Sequence, residues 1–139
     1  MSNTVRDVMT SDPVTMSESA TIASAAQAMR DADIGAVIVM RDNDVSGILT
    51  DRDTTVRAVA EEKDPRRTTI GEVYTRNPTT VAPSDEINRA VELMREQAVR
   101  RLPVVENGKP VGIVSIGDLA VDRDPRSALA DISAAPPNN

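Results

Sequence analysis

Gly47-Ile48-Leu49-Thr50-Asp51-Arg52-Asp53 and, sixty-five residues on, Gly112-Ile113-Val114-Ser115-Ile116-Gly117-Asp118 are two versions of one phrase. Each has a glycine, two aliphatic residues, a hydroxyl, two variable residues and an aspartate. A self-match at a fixed offset determines architecture before any local reading does. At that offset, without a gap, Val8 meets Val73, Thr10 meets Thr75, Pro13 meets Pro78, Thr15 meets Thr80 and Ser19 meets Ser84. The register carries on through Ile22 and Ile87, Ala25 and Ala90, Met29-Arg30 and Met94-Arg95, and Val39 and Val104. The chain is therefore a tandem pair, with repeats at residues 5–59 and 70–121. Between them residues 60–69 contain Glu61-Glu62-Lys63-Asp64-Pro65-Arg66-Arg67, a charged run with a proline that reads as a connector. Residues 122–139 form a C-terminal extension, with a short helix expected over 127–132 and a disordered end over 134–139.

Each repeat reads the same way. A short extended piece follows the proline at 14–16 and 79–81, where β-branched residues favour strand. An amphipathic helix comes next: Ile22, Ala25, Ala26 and Met29 fall at i, i+3, i+4 and i+7, and Ile87, Ala90, Val91 and Met94 repeat the spacing. Ser84 ahead of Asp85-Glu86 reads as a capped helix start. Two strands follow, at 36–40 and 45–50 in the first repeat and 102–105 and 111–115 in the second. Arg41-Asp42-Asn43-Asp44 and Glu106-Asn107-Gly108-Lys109 form hairpin turns between them. A second helix is expected after Asp53 and Asp118. The fold class is α/β, built from tandem β-α-β-β-α repeats packed sheet to sheet in one compact body.

Composition removes most chemistries. The chain has 139 residues, 16 Lys and Arg against 22 Asp and Glu, a formal charge of −6, no Cys and no His. Thiolate and imidazole nucleophiles, Ser-His triads and the usual zinc ligands are thus unavailable. The acidic balance argues against sequence-independent nucleic-acid binding, and Tyr74, the only aromatic residue, offers no stacking platform. The longest apolar stretch, residues 34–40, is too short to span a bilayer, and the start lacks the apolar run of a secretory signal. A cytoplasmic protein with no membrane partner is expected. An enzyme using Asp51 or Asp53 as general base finds no nucleophile or paired acid to support it. The methionines Met9, Met16, Met29 and Met94 read as core filler.

Two local motifs resolve into decoys. Asp42-Asn43-Asp44-Val45-Ser46-Gly47 through Asp53 resembles a calcium loop, but it follows strand-like sequence and ends in Asp where a bidentate Glu belongs. The glycine spacing around Gly112 and Gly117 resembles a phosphate loop, yet Asp118 stands where Lys is required. The repeated phrase is a better candidate site. A hydroxyl with free amides at a helix start suits phosphate oxygens, and an aspartate three residues on can accept both hydroxyls of a ribose. The same residues also fit a capping box, with Thr50 or Ser115 as cap and Asp53 or Asp118 as first-turn acid.

The duplicated endings, Met9 or Tyr74 ahead of the proline, and the run Val99-Arg100-Arg101-Leu102-Pro103-Val104-Val105 together resemble a CBS-domain pair, or Bateman module. The chain is also similar to stand-alone bacterial CBS-pair proteins. The resemblance implies a non-catalytic regulatory module that binds an adenine nucleotide in clefts between the repeats and responds by a change of shape or dimer state. It implies AMP, ADP or ATP as effector, with S-adenosylmethionine or NAD as further possibilities, no resident cofactor or metal, and a homodimer. It places Asp53 and Asp118 on ribose, Thr50 and Ser115 at phosphate, and Arg100 and Arg101 at the phosphate of the cleft served by Asp53. Where the second repeat has Arg100-Arg101, the first has Gly35-Ala36, so the two clefts are expected to differ. A ligand-free homodimerisation scaffold is the alternative.

Overall fold

Each long helix begins with an amide that the segment ahead of the other repeat satisfies. In the computed structural model, which describes residues 3–76, 79–124 and 126–135, the N–H of Ile22 donates to the carbonyl of Thr68 and that of Ile87 to Asn3. Helix N-termini leave several backbone donors open, and these carbonyls close one at each helix. Isolated bridges pair Thr21 with Thr69 and Thr4 with Glu86. The compact units therefore exchange their leading segments. One unit comprises residues 13–78 with 108–110; the other joins the chain before residue 13 to residues 79–107 and the chain from 111 onward.

The elements in chain order are α1 (Val5–Val8), β1 (Thr10–Ser11), β2 (Thr15–Ser17), α2 (Ile22–Ala32), β3 (Ala36–Arg41), β4 (Asp44–Thr50) and α3 (Asp51–Asp53), which continues as a π-helical turn over Thr54–Val59. A 3₁₀ turn over Ile70–Glu72 leads to β5 (Thr75–Arg76), α4 (Ile87–Gln97), β6 (Arg101–Glu106), β7 (Lys109–Ser115), α5 (Ile116–Arg123) and α6 (Ala128–Ala134).

In the unit of residues 13–78 the sheet order is β2-β3-β4-β5. The β2 and β3 strands are parallel, and the other pairs are antiparallel. The α2 helix lays Ile22, Ala25 and Met29 over Val37, Val39 and Leu49, and Ile70, Val73 and Tyr74 complete this core. The other unit has the order β1-β7-β6, with Ile87, Ala90, Leu93 and Met94 of α4 packed on Leu102, Val104 and Val114. Met16 packs against the first core and Met9 against the second.

The structure departs from sequence expectation in four places. The extended piece at 79–81 is reduced to one bridge, Val81 to Val104. Ser84 caps nothing: Asp85 accepts the Ala82 amide at 2.8 Å, and α4 starts only after Glu86, where the Asn3 carbonyl takes its first amide. Ala26 is exposed and Val91 half-buried, because the buried stripe of each helix is narrower than its apolar one. Finally, the second helices begin at Asp51 and Ile116 rather than after Asp53 and Asp118, which puts both aspartates inside the first turn. The expected short C-terminal helix is α6, capped by Ser127, whose Oγ accepts the Ala130 amide at 3.0 Å. The disordered end expected from 134 starts too early, since Ala134 still belongs to α6; the rest of that expectation, residues 136–139, lies outside the described residues.

Candidate functional site

Both copies of the repeated phrase form capping boxes. At the end of β4 the Thr50 Oγ accepts the Asp53 amide at 3.2 Å, while Asp53 Oδ2 accepts from the Thr50 amide at 3.0 Å and the Thr50 hydroxyl at 3.1 Å. At the end of β7 the Ser115 Oγ accepts the Asp118 amide at 3.2 Å and Asp118 Oδ2 accepts the Ser115 amide at 2.8 Å. The reciprocal arrangement follows from a Ser or Thr with an acid three residues later, which closes two open helix donors at once.

Beyond the shared cap the two corners differ. Asp53 is 6 % exposed. Its second oxygen, Oδ1, accepts the Thr75 hydroxyl at 3.3 Å and lies 3.8 Å from Arg57 Nε. Both carboxylate oxygens are thus occupied by neighbours in the same unit. Asp118 is half-buried and opens on a cavity of about 940 Å³ lined by Asp7, Asp122, Val8, Val121, Ser133 and Ala134 as well as itself. Among the described residues its Oδ1 has no hydrogen-bond partner. Burial pushes the Asp118 carboxyl above its ordinary value, with the hydrogen bonds from Ser115 drawing it partly back. A hydrogen-bond acceptor at the wall of an open cavity can take the paired hydroxyls of a sugar.

The cause of the difference is legible at the repeat offset. Arg57, one turn after Asp53, corresponds to Asp122, one turn after Asp118. The first aspartate meets a guanidinium and the second a like charge. Sequence reasoning missed Arg57, Thr75, Asp122 and Asp7, and the offset already in hand would have found the first and third.

Arg100 is exposed and Arg101 half-buried at the start of β6. Both belong to the unit that holds Ser115 and Asp118. The Arg100 carbonyl accepts the Ile116 amide at 2.9 Å, tying the Arg pair to the first turn of α5. Among the described residues neither guanidinium has a hydrogen-bond or ion-pair partner, and neither lines the Asp118 cavity.

A second feature is also duplicated. In one unit Val91, Met94, Val99, Ile116, Leu119 and Ala120 line a groove between α4 and α5, with Arg95 and Arg123 at its edge. In the other unit Ala26, Met29, Ile34, Asp51, Thr54 and Thr55 line the corresponding groove, with Arg30 at its edge. The second groove is the first with three apolar residues replaced by polar ones.

Comparison with known proteins agrees with this duplicated architecture. The profile described as CBS domain matches residues 5–56 and again 70–121. The CBS domain-containing protein YhcV of Bacillus subtilis is 36 % identical over 135 residues, covering 94 % of this chain and 96 % of its own. Hypoxic response protein 1 of Mycobacterium tuberculosis is 37 % identical over 118 residues, covering 84 % and 82 %. A crystal structure of hypoxic response protein I with two coordinated zinc ions superposes with a TM-score of 0.74 at 36 % identity, covering 88 % of this chain and 99 % of that one.

Proposed function

The chain belongs to the CBS-domain family, and from that premise we propose that it is a non-catalytic regulatory module in which the Ser115–Asp118 corner holds the ribose of an adenine nucleoside or nucleotide. Proteins of this family are regulatory and ligand-binding. The observation that carries the assignment is the asymmetry of the two aspartates. Asp118 presents an oxygen free of described partners to a cavity far larger than one sugar, whereas Asp53 has committed both of its oxygens. Asp53 would have to release Thr75 and Arg57 before a sugar could bind there. Arg100 and Arg101 carry uncommitted positive charge for a phosphorylated ligand, and they are the residues to test for phosphate contact.

The zinc of hypoxic response protein I does not transfer to this reading. The chain has no His or Cys, and among the described residues no group of three acidic side chains is placed to hold a metal. No helix in the described residues is long and apolar enough to cross a membrane.

Calorimetry with adenosine, AMP, ADP, ATP, NAD and S-adenosylmethionine tests the proposal. We expect one adenosine compound to bind, and Asp118→Ala to weaken it by about ten- to a hundredfold, the loss of one or two hydrogen bonds to a charged acceptor. Where a phosphorylated member of the panel binds, Arg101→Ala should weaken it and spare adenosine. Binding that survives Asp118→Ala unchanged would move the site elsewhere. No binding by any member of the panel would leave the groove between α4 and α5 as the working surface and favour a dimerisation scaffold.

A further inference from the structure

The helix of the C-terminal extension lies against the corner just described. Ala130 of α6 is 1 % exposed, so the helix is anchored. Its next turn brings Ser133 against Gly117, the second residue of α5: a methyl group at 117 would stand 2.6 Å from Ser133 Oγ and 3.1 Å from Ser133 Cβ. A methyl there would require Ser133 to shift, so the absence of a side chain at 117 is what lets α6 pack this closely. The first turn of α5 is the part of the corner that a phosphate would approach, since open amides gather at a helix start. Two of its amides are already committed, Ile116 to the Arg100 carbonyl and Asp118 to Ser115 Oγ. Gly117 stands between them, and Ser133 covers it. What remains open is the sugar side, where Asp118 faces the cavity in company with Asp7 and Asp122. Arg123 Nε, 3.9 Å from Asp122 Oδ2, is the basic group beside these carboxylates.

Resting on the reading of this corner as a nucleoside site, we propose that α6 is its selectivity element. By seating Ser133 on Gly117 it closes the phosphate side, so that the cleft accepts a neutral or cationic adenosine compound and rejects a 5′-phosphate. Steric closure is the principal cause. Asp7, Asp118 and Asp122 all line this cavity and add a weaker, solvent-screened repulsion against a phosphate.

The full-length chain is titrated with adenosine and with AMP, alongside Ala130→Gln and Ser133→Gly. The first variant puts a polar side chain where none fits and leaves every charge unchanged. The second removes the side chain that packs against Gly117 and keeps the charge. Amide hydrogen exchange over 128–134 reports whether α6 has been released. We expect adenosine to bind the parent chain at least about tenfold more tightly than AMP. In both variants AMP should gain about tenfold while adenosine changes by less than about threefold. If exchange shows α6 released and the preference is unchanged, carboxylate repulsion alone excludes phosphate and the proposal falls. It falls equally if AMP matches adenosine in the parent chain, or if the parent binds neither and the variants bind both, which would make α6 a general plug. Adenosine binding that is indifferent to Asp118→Ala, or absent from every form, would instead overturn the assignment of the corner itself, and the role of α6 with it.

Discussion

Asp53 and Asp118 hold the same place in their repeats, and one neighbour makes them different residues. Arg57 stands 3.8 Å from Asp53, whereas the equivalent residue beside Asp118 is Asp122. Asp53→Ala removes a cap acid and leaves Thr75 and Arg57 without their acceptor, so we expect a loss of about 1–3 kcal/mol in urea unfolding followed by circular dichroism. Asp118 should behave in the opposite sense. Its folded pKa is raised by burial, so the folded protein binds this proton more tightly than the unfolded chain does. Stability from this group therefore falls as pH rises from the ordinary carboxylate value through the raised one, and above it burial of the carboxylate is a net cost to the fold. Asp118→Asn should raise the urea midpoint relative to the parent at about pH 7, and the advantage should shrink as pH falls towards about 4. A constant difference across that range would show that burial of Asp118 is not felt by the fold.

At the scale of elements, the long helices and the hairpins were legible because their apolar spacing and turn residues are local signals. Ile22, Ala25 and Met29 are buried as their spacing requires, and β3 and β4 pair across the Asp42-Asn43 turn. The exchange of leading segments was not legible. Thr4 and Thr69 look alike in sequence, and only three-dimensional packing decides that Thr4 bridges to Glu86 and Thr69 to Thr21. The corner was half legible: its capping geometry could be read from Thr50, Asp53, Ser115 and Asp118, while the closing of Asp53 by Thr75 depends on β5 lying beside β4. Two tests belong here. Gly112 lies under β1, where a methyl would meet the Thr10 carbonyl at 2.8 Å and Met9 Sδ at 2.7 Å. Gly112→Ala should cost roughly 1–3 kcal/mol and speed amide exchange in β1. The short helices at Val5–Val8 and Ile70–Glu72 are each closed by an acid, Asp7 and Glu72, held below its ordinary value chiefly by backbone amides of Thr4 and Thr69 respectively. A depressed pKa gives stability that is present above the unfolded value and lost as pH falls through the folded one. Acidification below the usual carboxylate range should therefore loosen both turns. Asp7→Asn should reproduce the effect at Thr4 and leave Thr69 unchanged, as amide exchange would record.

For the molecule as a whole, the duplicated groove decides what a second copy can do. Ile116 is 46 % exposed and Val121 38 %, and Ile116 belongs to the groove with Val91, Val99 and Leu119. In the first repeat the groove positions matching Ile116, Leu119 and Ala120 are Asp51, Thr54 and Thr55. Burial of apolar surface is worth about 25 cal/mol per Å², so if two copies associate we expect the α4–α5 groove to contribute more than its more polar counterpart. Symmetric pairing is the commonest way to bury such a face, and the paired groove then recurs on both copies without exposing a further sticky surface. The chain of 14.9 kDa is accordingly expected to scatter light as a dimer of about 30 kDa at micromolar concentration. Ile116→Glu puts a charge into the apolar groove and should return the mass to that of one chain. Thr54→Glu makes the corresponding change in the groove that is already polar, and should leave the dimer intact. A parent chain that scatters as a monomer throughout the micromolar range would remove the dimer. Equal dissociation by the two variants would show instead that both grooves take part, and that the polar residues of the first repeat meet polar partners across the interface.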